Sequence, residues 1–245
     1  MRKCAILILV LIAGFIFPVF AGEDSEDNFA EIDALYFSRN EGNNLQTYYD
    51  KLNEMLKDNP NDGDIYWRLS RYHYWKGKLT EDKDEKIKLF EKAQEVADKG
   101  IEKDPKNPEV YYWSGVAMGM IGDTRGVLKS FFLIEPIKGR MNKTLELNPN
   151  HNGAHHVLGV MYRKLPGFKG GSNEKSEEEL LKAIALKPND TLHRYELAVT
   201  YVEMEKNDKA LEQLQKVLDE ENPADPVEAQ NNKRDSRILF YKIKK

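Results

Sequence analysis

Three neighbouring histidines, His151, His155 and His156, are the side chains of this sequence best placed to bind a metal. His151 and His155 are four residues apart, a spacing at which two ligands share one helix face. However, His151 directly follows Asn148-Pro149-Asn150, which predicts a turn, and no carboxylate lies within four residues of the cluster. We therefore expect the histidines to pack or to cap a helix, and we predict no metal site and no cofactor.

The glycine-rich stretch Gly170-Gly171-Ser172 is the second candidate for chemistry. A phosphate-binding loop needs a further Gly-Lys-Ser/Thr and a preceding strand, and the sequence has neither. The downstream residues 176–179, Ser-Glu-Glu-Glu, fit a capping box. We interpret the stretch as a tight loop that leads to a helix beginning at Ser176.

No catalytic combination of serine, histidine and aspartate stands out, and the paired carboxylates at 177–179 and 220–221 are typical of solvated helix faces and ends. The sequence therefore predicts a protein that is not an enzyme. Its 37 Lys and Arg against 41 Asp and Glu give a net charge of −4. Nucleic-acid binding relies on a basic excess, so we expect no nucleic-acid partner.

The first residues have the three-part plan of a secretory signal. Basic Met1-Arg2-Lys3 precedes an apolar run of 14 residues, Cys4 to Phe17, and then Pro18-Val19-Phe20-Ala21. A signal anchor is the alternative, but the run is shorter than the roughly 20 residues that span a bilayer. We predict a signal peptide at 1–21, cleaved after Ala21, and a single domain at 22–245.

The only cysteine, Cys4, lies before the apolar run, whereas a lipid-attachment cysteine should follow it. We therefore expect no lipid or other membrane anchor after cleavage, and no disulfide or thiolate metal site in the mature chain. Loss of two basic residues leaves 35 against 41 acidic ones, a net charge of −6. The expected location is periplasmic or secreted.

Five prolines recur in similar contexts, and they divide the rest of the chain into repeats. They are Pro60, Pro105, Pro149, Pro188 and Pro223, spaced by 45, 44, 39 and 35 residues. Each proline should end one helix, and a neighbouring Asn or Asp can cap the next. A small residue lies within the helix that follows each of the first four prolines, where a partner helix can approach closely. These residues are Ser70, Gly115, Gly159 and Ala198.

The large aromatic, the small residue, the tyrosine and the closing proline of each unit resemble the tetratricopeptide repeat (TPR). This resemblance implies an all-α fold of helical hairpins stacked into a right-handed superhelix, with about four repeats after an N-terminal helical pair. Two stretches lengthen the repeats: an insertion from Thr124 to Ile134, and the loop Leu165 to Ser172.

Four segments in this order make the resemblance more specific. They are Ala34-Leu35-Tyr36-Phe37, Tyr66-Trp67-Arg68-Leu69-Ser70-Arg71, the Ala154-His155-His156 helix and the Pro166/Gly170-Gly171 loop. Together they resemble the exported T-component family of TRAP transporter systems, and they are also similar to the regulators of microtubule dynamics. The first resemblance implies a protein that docks a periplasmic solute-binding protein and offers a passage through its helical stack. The lipidation cysteine of anchored T-components is missing here.

The residue after each packing aromatic should point to the concave face of the stack, and it is a ring in all four repeats: Trp67, Tyr112, His156 and Tyr195. Residues four positions further on share this face. The predicted ligand-binding face comprises Trp67, Arg71, Tyr74, Trp75, Tyr112, Val116, Met120, His156, Val160, Arg163, Tyr195 and Val199. Clamps for a peptide carboxylate use lysine and asparagine here, so this face favours an apolar or amphipathic ligand.

Two interpretations of this aromatic column stay open. The rings either line a cavity for a hydrophobic small ligand, or they are core covered by residues 29–49 or by the tail after Pro226. Two interpretations of the function also stay open. The chain is either a ligand-binding accessory with a protein partner, or a general protein-interaction scaffold in envelope assembly.

Overall fold

The protein is all-helical over residues 29–244, which are the residues that the computed structural model describes. The predicted signal peptide and its cleavage site lie outside this range. Within it the chain forms no strand. The α-helices are α1 Ala30–Phe37, α2 Asn44–Asp58, α3 Gly63–Leu79, α4 Lys83–Lys103, α5 Pro108–Arg125, α6 Ile134–Leu147, α7 Asn152–Lys164, α8 Asn173–Leu186, α9 Thr191–Glu203, α10 Asn207–Asp219 and α11 Pro226–Ile243. Two 3-10 segments, Val127–Leu133 and Gly167–Lys169, lie in the inserted stretches.

The helices form the hairpin repeats that the sequence predicts. Helices α3–α4, α5–α6, α7–α8 and α9–α10 pack as four successive pairs, after the N-terminal pair α1–α2. Helix α11 packs on α9 and α10 at the end of the stack. The expected TPR-type helical-hairpin superhelix is therefore confirmed.

One turn recurs between the repeats and explains the spacing of the prolines. In the turn around Pro60, the amide of Asp62 donates to the carbonyl of Asn59 at 3.3 Å, and the same bond closes the turns at the next three prolines. Proline suits the second position of such a turn because its φ is already fixed. The residue two after each proline then caps the next helix through its side chain: Asp62, Asn107, His151, Asp190 and Asp225.

Helix α8 begins earlier than the capping-box pattern predicts, so the prediction of a start at Ser176 is wrong. The helix begins at Asn173, and the hydroxyl of Ser172 accepts the amide of Lys175 at 3.2 Å. Ser176 is instead fully buried, and its hydroxyl pairs with that of Thr200 in α9 at 3.0 Å. Both serines suit a cap in sequence, but only Ser172 lies outside the packed face.

Small residues lie where the two helices of a repeat cross, as their spacing predicts. Ser70 is fully buried, and its hydroxyl donates to the carbonyl of Ala93 in α4 at 2.8 Å. A Cβ on Gly159 would come within 2.7 Å of the Leu180 side chain in α8. Any larger side chain at either position would therefore push the paired helices apart.

The first and last helices of the described residues meet across the stack. Val227 of α11 belongs to the same buried cluster as α1, α2 and α3. Beside it, Arg39 Nη2 lies 2.9 Å from Asp225 Oδ2, with the Arg39 side chain fully buried, and Lys78 pairs with Glu228. The C-terminal helix is therefore fastened to the N-terminal half of the protein, and it bridges the concave side of the superhelix.

Replacement of Gly159 by leucine should destabilise the protein by about 1–3 kcal/mol, because the new side chain must displace Leu180. The measurement is the free energy of unfolding from urea denaturation. The control is Gly139→Leu in α6, an exposed glycine whose added Cβ would meet nothing within 4 Å. That change should be neutral or slightly stabilising, since glycine is a poor helix former. Equal stability of the two variants would contradict a close crossing at Gly159.

Candidate functional site

A half-open cavity of about 350 Å³ lies in the middle of the stack, lined chiefly by α5, α6 and α7. Tyr74 and Lys78 of α3 bound it on one side, and Leu192 and Glu196 of α9 on the other. Most of its wall is apolar. The apolar side chains that line it are Val116, Met120, Leu133, Ile134, Ile137, Val157, Val160, Met161, Leu165 and Leu192.

Glycines on α5 help to make this space. A Cβ added at Gly119 would meet nothing within 4 Å, so the helix leaves open volume at that point. At Gly115, one turn earlier, an added Cβ would meet Arg140 and Met141, so α6 is held close there. The two glycines bring α5 and α6 together at one level and leave room beside them at the next.

Charged side chains at the cavity wall are each neutralised by a partner. Lys164 Nζ lies 2.7 Å from Asp123 Oδ1, and both line the cavity. Lys78 is paired with Glu228, and Glu196 with Arg163. Because these charges are used within the protein, the wall offers a ligand little beyond apolar contact and a few polar groups near its edge.

A pair of histidines, His193 buried and His156 half-buried, contributes a polar element that spans two repeats at the cavity. His156, which lines the cavity, has its Nδ1 3.1 Å from Nδ1 of His193, whose Nε2 lies 3.0 Å from Asn152 Oδ1. If His193 donates to Asn152, its Nδ1 must accept from His156, and the lone pair of His156 is then on Nε2. The pair joins α7 to α9 while both rings are neutral.

Burial lowers the pKa of both histidines, because it disfavours the charged imidazolium. His193 adds to this effect on His156, and Lys187 adds to it on His193. Both rings are therefore neutral at pH 7, and the hydrogen bond between them needs a lone pair on only one of the two Nδ1 atoms.

Six of the twelve residues predicted for the concave ligand face line the cavity. They are Tyr74, Tyr112, Val116, Met120, His156 and Val160. The aromatic column is thus divided: Tyr112 and His156 border one space, whereas Trp67 and Tyr195 do not reach it. Whether any of these residues binds a ligand stays a prediction.

Trp67, Arg71 and Trp75 are core, because the N-terminal segment covers them. The guanidinium of Arg39 lies 3.9 Å from the centroid of the Trp75 ring, and Trp67 stacks nearly parallel to Trp113 at 6.4 Å. Arg71 is 7% exposed and donates to Asp33 of α1 at 2.5 Å. These three residues therefore do not line the cavity, and residues of α1 and α2 pack in the same buried cluster with Trp67 and Trp75.

Asp33 is shared by two buried arginines. Arg68 Nη2 donates to it at 2.6 Å, alongside the bond from Arg71. Burial alone would raise the pKa of this carboxyl, but the hydrogen bonds and charges of the two arginines outweigh burial and lower it. Asp33 is therefore ionised, and it neutralises part of the charge that α3 buries.

The last three predicted residues also lie outside the cavity. Arg163 pairs with Glu196 and, at 3.0 Å, with Glu203. Tyr195 is partly buried in the cluster that contains Leu239 and Phe240 of α11. Val199, one turn further along α9, is also half-buried and does not line the cavity. Helix α11 covers the part of the concave face that a regular repeat would leave open.

Several cavity residues come from the insertion, which periodicity alone did not assign to the site. Ser130 and Leu133 lie in the 3-10 segment Val127–Leu133, and Ile134 begins α6. The sequence signal that could have identified these residues is the apolar run Phe-Phe-Leu-Ile at 131–134, in the segment that interrupts the repeat. Such a run needs a surface to pack against, and a gap in the stack provides it.

His151 takes the capping role that the sequence analysis favours, and both His151 and His155 also pair with carboxylates that are distant in the sequence. His151 caps α7, with its Nδ1 accepting the amide of Ala154 at 3.0 Å, and its Nε2 lies 2.9 Å from Glu109. His155 Nδ1 lies 2.6 Å from Glu179 of α8. Over residues 29–244, no three histidine, cysteine or acidic side chains are grouped as metal ligands. No helix in that range combines the length and apolar character of a membrane span.

Comparison with known proteins assigns the chain to a family. A family model described as regulator of microtubule dynamics protein 1-3 matches residues 28–169. The chain belongs to this family. It is 26% identical to regulator of microtubule dynamics protein 1 of Mus musculus over 137 residues, 55% of this chain and 43% of the mouse protein. It is 29% identical to protein 3 of Bos taurus over 96 residues, 39% of this chain and 20% of the bovine protein.

The chain thus matches less than half the length of these relatives. A crystal structure of a thermophilic TPR protein from Thermus thermophilus has a similar fold, with a TM-score of 0.64 over 89% of this chain and 98% of that one. Its sequence identity is 19%, so the likeness concerns the fold alone. The resemblance to the T-component group of TRAP systems stays a prediction.

Replacement of both paired histidines should weaken the acid sensitivity of the fold. The folded-state pKa values lie below the unfolded value of about 6.5, so stability is present above that pH and is lost as the pH falls below it. Between pH 8 and pH 5, His156→Gln/His193→Gln should lose less unfolding free energy than the natural sequence, by up to about 2 kcal/mol per histidine.

The measurement is urea denaturation at both pH values, with each protein compared with itself so that the packing cost of the substitutions cancels. Some acid sensitivity should remain in the variant, because burial also lowers the pKa of His73, to about 4. An equal loss of stability in both proteins would show that the histidine pair is not neutral in the folded state.

Proposed function

We propose that this chain is an exported, non-enzymatic TPR-type interaction protein that binds an apolar ligand in the cavity between α5, α6 and α7. The observation that carries the proposal is a cavity of about 350 Å³ with a largely apolar wall. This volume falls within the roughly 300–1,000 Å³ that small-molecule sites occupy. Apolar surface exposed to water is unfavourable by about 25 cal/mol per Å², so an apolar ligand would be stabilised there.

The pairing of charges limits the chemistry of this ligand. Lys78, Lys164 and Asp123 are each neutralised by a side chain of the protein. A strongly ionic ligand would have to break these pairs, whereas an apolar molecule with one polar group would leave them intact. The Nε2 of His156 is the natural acceptor for a hydroxyl or amide of such a ligand.

A protein partner is the second part of the proposal. TPR-type stacks are interaction scaffolds, and this member of the family folds as such a stack. The inner face beside Trp67 and Trp75 is occupied by the N-terminal segment, and α11 covers Tyr195. A partner should therefore bind the outer surface of the stack rather than lie along the concave groove as an extended peptide.

Export and a role in transport rest on the sequence alone. The N-terminal plan of residues 1–21 supports export to the periplasm or beyond. The resemblance to the T-component group suggests a solute-binding protein as the partner, and this stays a hypothesis. The competing function is a scaffold in envelope assembly whose cavity is merely imperfect packing.

Filling the cavity separates the two functions. Gly119→Phe places a ring in the open space beside α5, where an added Cβ meets nothing within 4 Å. It should reduce the affinity for the uncharged apolar fluorophore N-phenyl-1-naphthylamine at least tenfold and leave the melting temperature unchanged or higher. Fluorescence titration gives the affinity, and native mass spectrometry of the protein from its own host reveals a retained ligand.

The matched control is Gly139→Phe, the same substitution at an exposed glycine of α6 with equally open surroundings. It should bind the fluorophore like the natural sequence. Should Gly119→Phe also bind normally, the cavity is not the ligand site, and the scaffold function is favoured.

A further inference from the structure

The surface of the insertion carries large apolar side chains that point into solvent. Leu128 is 76% exposed and Phe132 65% exposed, both in the 3-10 segment Val127–Leu133. Phe168, in the separate loop between α7 and α8, is 78% exposed. Exposed leucines are common singly, but three such side chains on two adjoining segments call for an explanation.

Contacts of the neighbouring residues show which side of the segment faces the stack. The Ser130 hydroxyl donates to the Gly122 carbonyl at 3.2 Å, and Leu133 lines the cavity. The backbone is kinked at Ser130, where φ is −121° and ψ is 15°. On either side of this kink, Leu128 and Phe132 point away from the stack into solvent.

The loop that carries Phe168 is held against this segment. The Phe168 ring packs edge-on against Phe131, with 6.1 Å between centroids. At its base, the amide of Gly171 donates to the carbonyl of Pro166 at 3.2 Å, and Gly170 turns the chain with a φ of 87°. The exposure of Phe168 is therefore fixed by the fold of the loop.

Lysines surround the apolar side chains. Lys169 Nζ lies 5.3 Å from the centroid of Phe131, and Lys138 Nζ lies 4.0 Å from the position of a Cβ on Gly170. Lys129 is exposed between Leu128 and Phe132. Among the acidic side chains, exposed Glu135 faces this group, 3.5 Å from Lys138. A local cluster of three lysines contrasts with the net charge of −4 of the chain.

We propose that this surface, the Phe-Lys patch of Leu128, Lys129, Phe132, Phe168 and Lys169, docks the protein reversibly on a bilayer rich in anionic phospholipid. Apolar side chains that protrude singly can enter the boundary between headgroups and acyl chains, while flanking lysines meet the negative surface. A protein partner would instead need a pocket for each protruding side chain. The patch is separate from the cavity, so the inference does not depend on the proposed ligand.

Vesicle flotation tests the docking. The purified full chain is mixed with vesicles of phosphatidylcholine alone or with an equal part of phosphatidylglycerol, and the bound fraction is measured at increasing salt. We expect binding that is at least tenfold stronger to the anionic vesicles and that weakens with salt. Phe132→Ser/Phe168→Ser should reduce this binding at least tenfold, and Lys129→Glu/Lys169→Glu should do the same without removing apolar surface.

The matched control is Ile238→Ser/Tyr241→Ser on α11, two apolar side chains that are 64% and 69% exposed and lie outside the patch. It should bind anionic vesicles like the natural sequence. Unchanged melting temperatures and unchanged fluorophore binding in the cavity will show that the patch variants are folded.

Three results would overturn the proposal: no preference of the natural sequence for anionic vesicles, equal loss of binding in the α11 control, or full binding by both patch variants. Patch variants that keep vesicle binding but lose self-association in sedimentation would assign the surface to a protein contact instead.

Discussion

The burial of positive charge by the first repeat is the constraint on which the rest of the structure depends. Arg68 and Arg71 of α3 are 8% and 7% exposed, and Arg39 is 4% exposed. A buried guanidinium is tolerated only where carboxylates and ring faces replace water. Asp33 serves Arg68 and Arg71, and Asp225 serves Arg39. Both carboxylates come from outside the regular repeats, so neutralising these arginines requires α1 and α11 to fold onto the stack.

This requirement determines which parts of the concave face are packed core and where the cavity lies. At the N-terminal end, α1 and Arg39 cover Trp67 and Trp75, and at the other end α11 covers Tyr195. Between them, the insertion lines the space beside α5 and α7 without filling it, and the cavity remains there. The concave surface of a repeat stack is in this case a core at both ends and a cavity in the middle.

Sequence periodicity predicted what each repeat does locally. The prolines located the turns between repeats, and small residues such as Ser70 and Gly159 located the helix crossings, because both depend only on neighbours within one hairpin. Periodicity could not predict which rings of the aromatic column remain free. Trp67 and Tyr112 occupy equivalent positions, yet only Tyr112 lines the cavity. Trp67 belongs to a buried cluster that includes Ile32 and Tyr36 of α1, more than 30 positions away in the sequence.

The insertion between α5 and α6, a departure from the regular repeat, contributes to both the cavity and the exposed patch. A hairpin of standard length would join the two helices directly and leave no room between them. Here Ser130 and Leu133 of the 3-10 segment line the cavity, whereas Leu128 and Phe132 of the same segment point into solvent. Because one short segment supplies both sets of side chains, its conformation constrains the wall of the cavity and the exposed patch together.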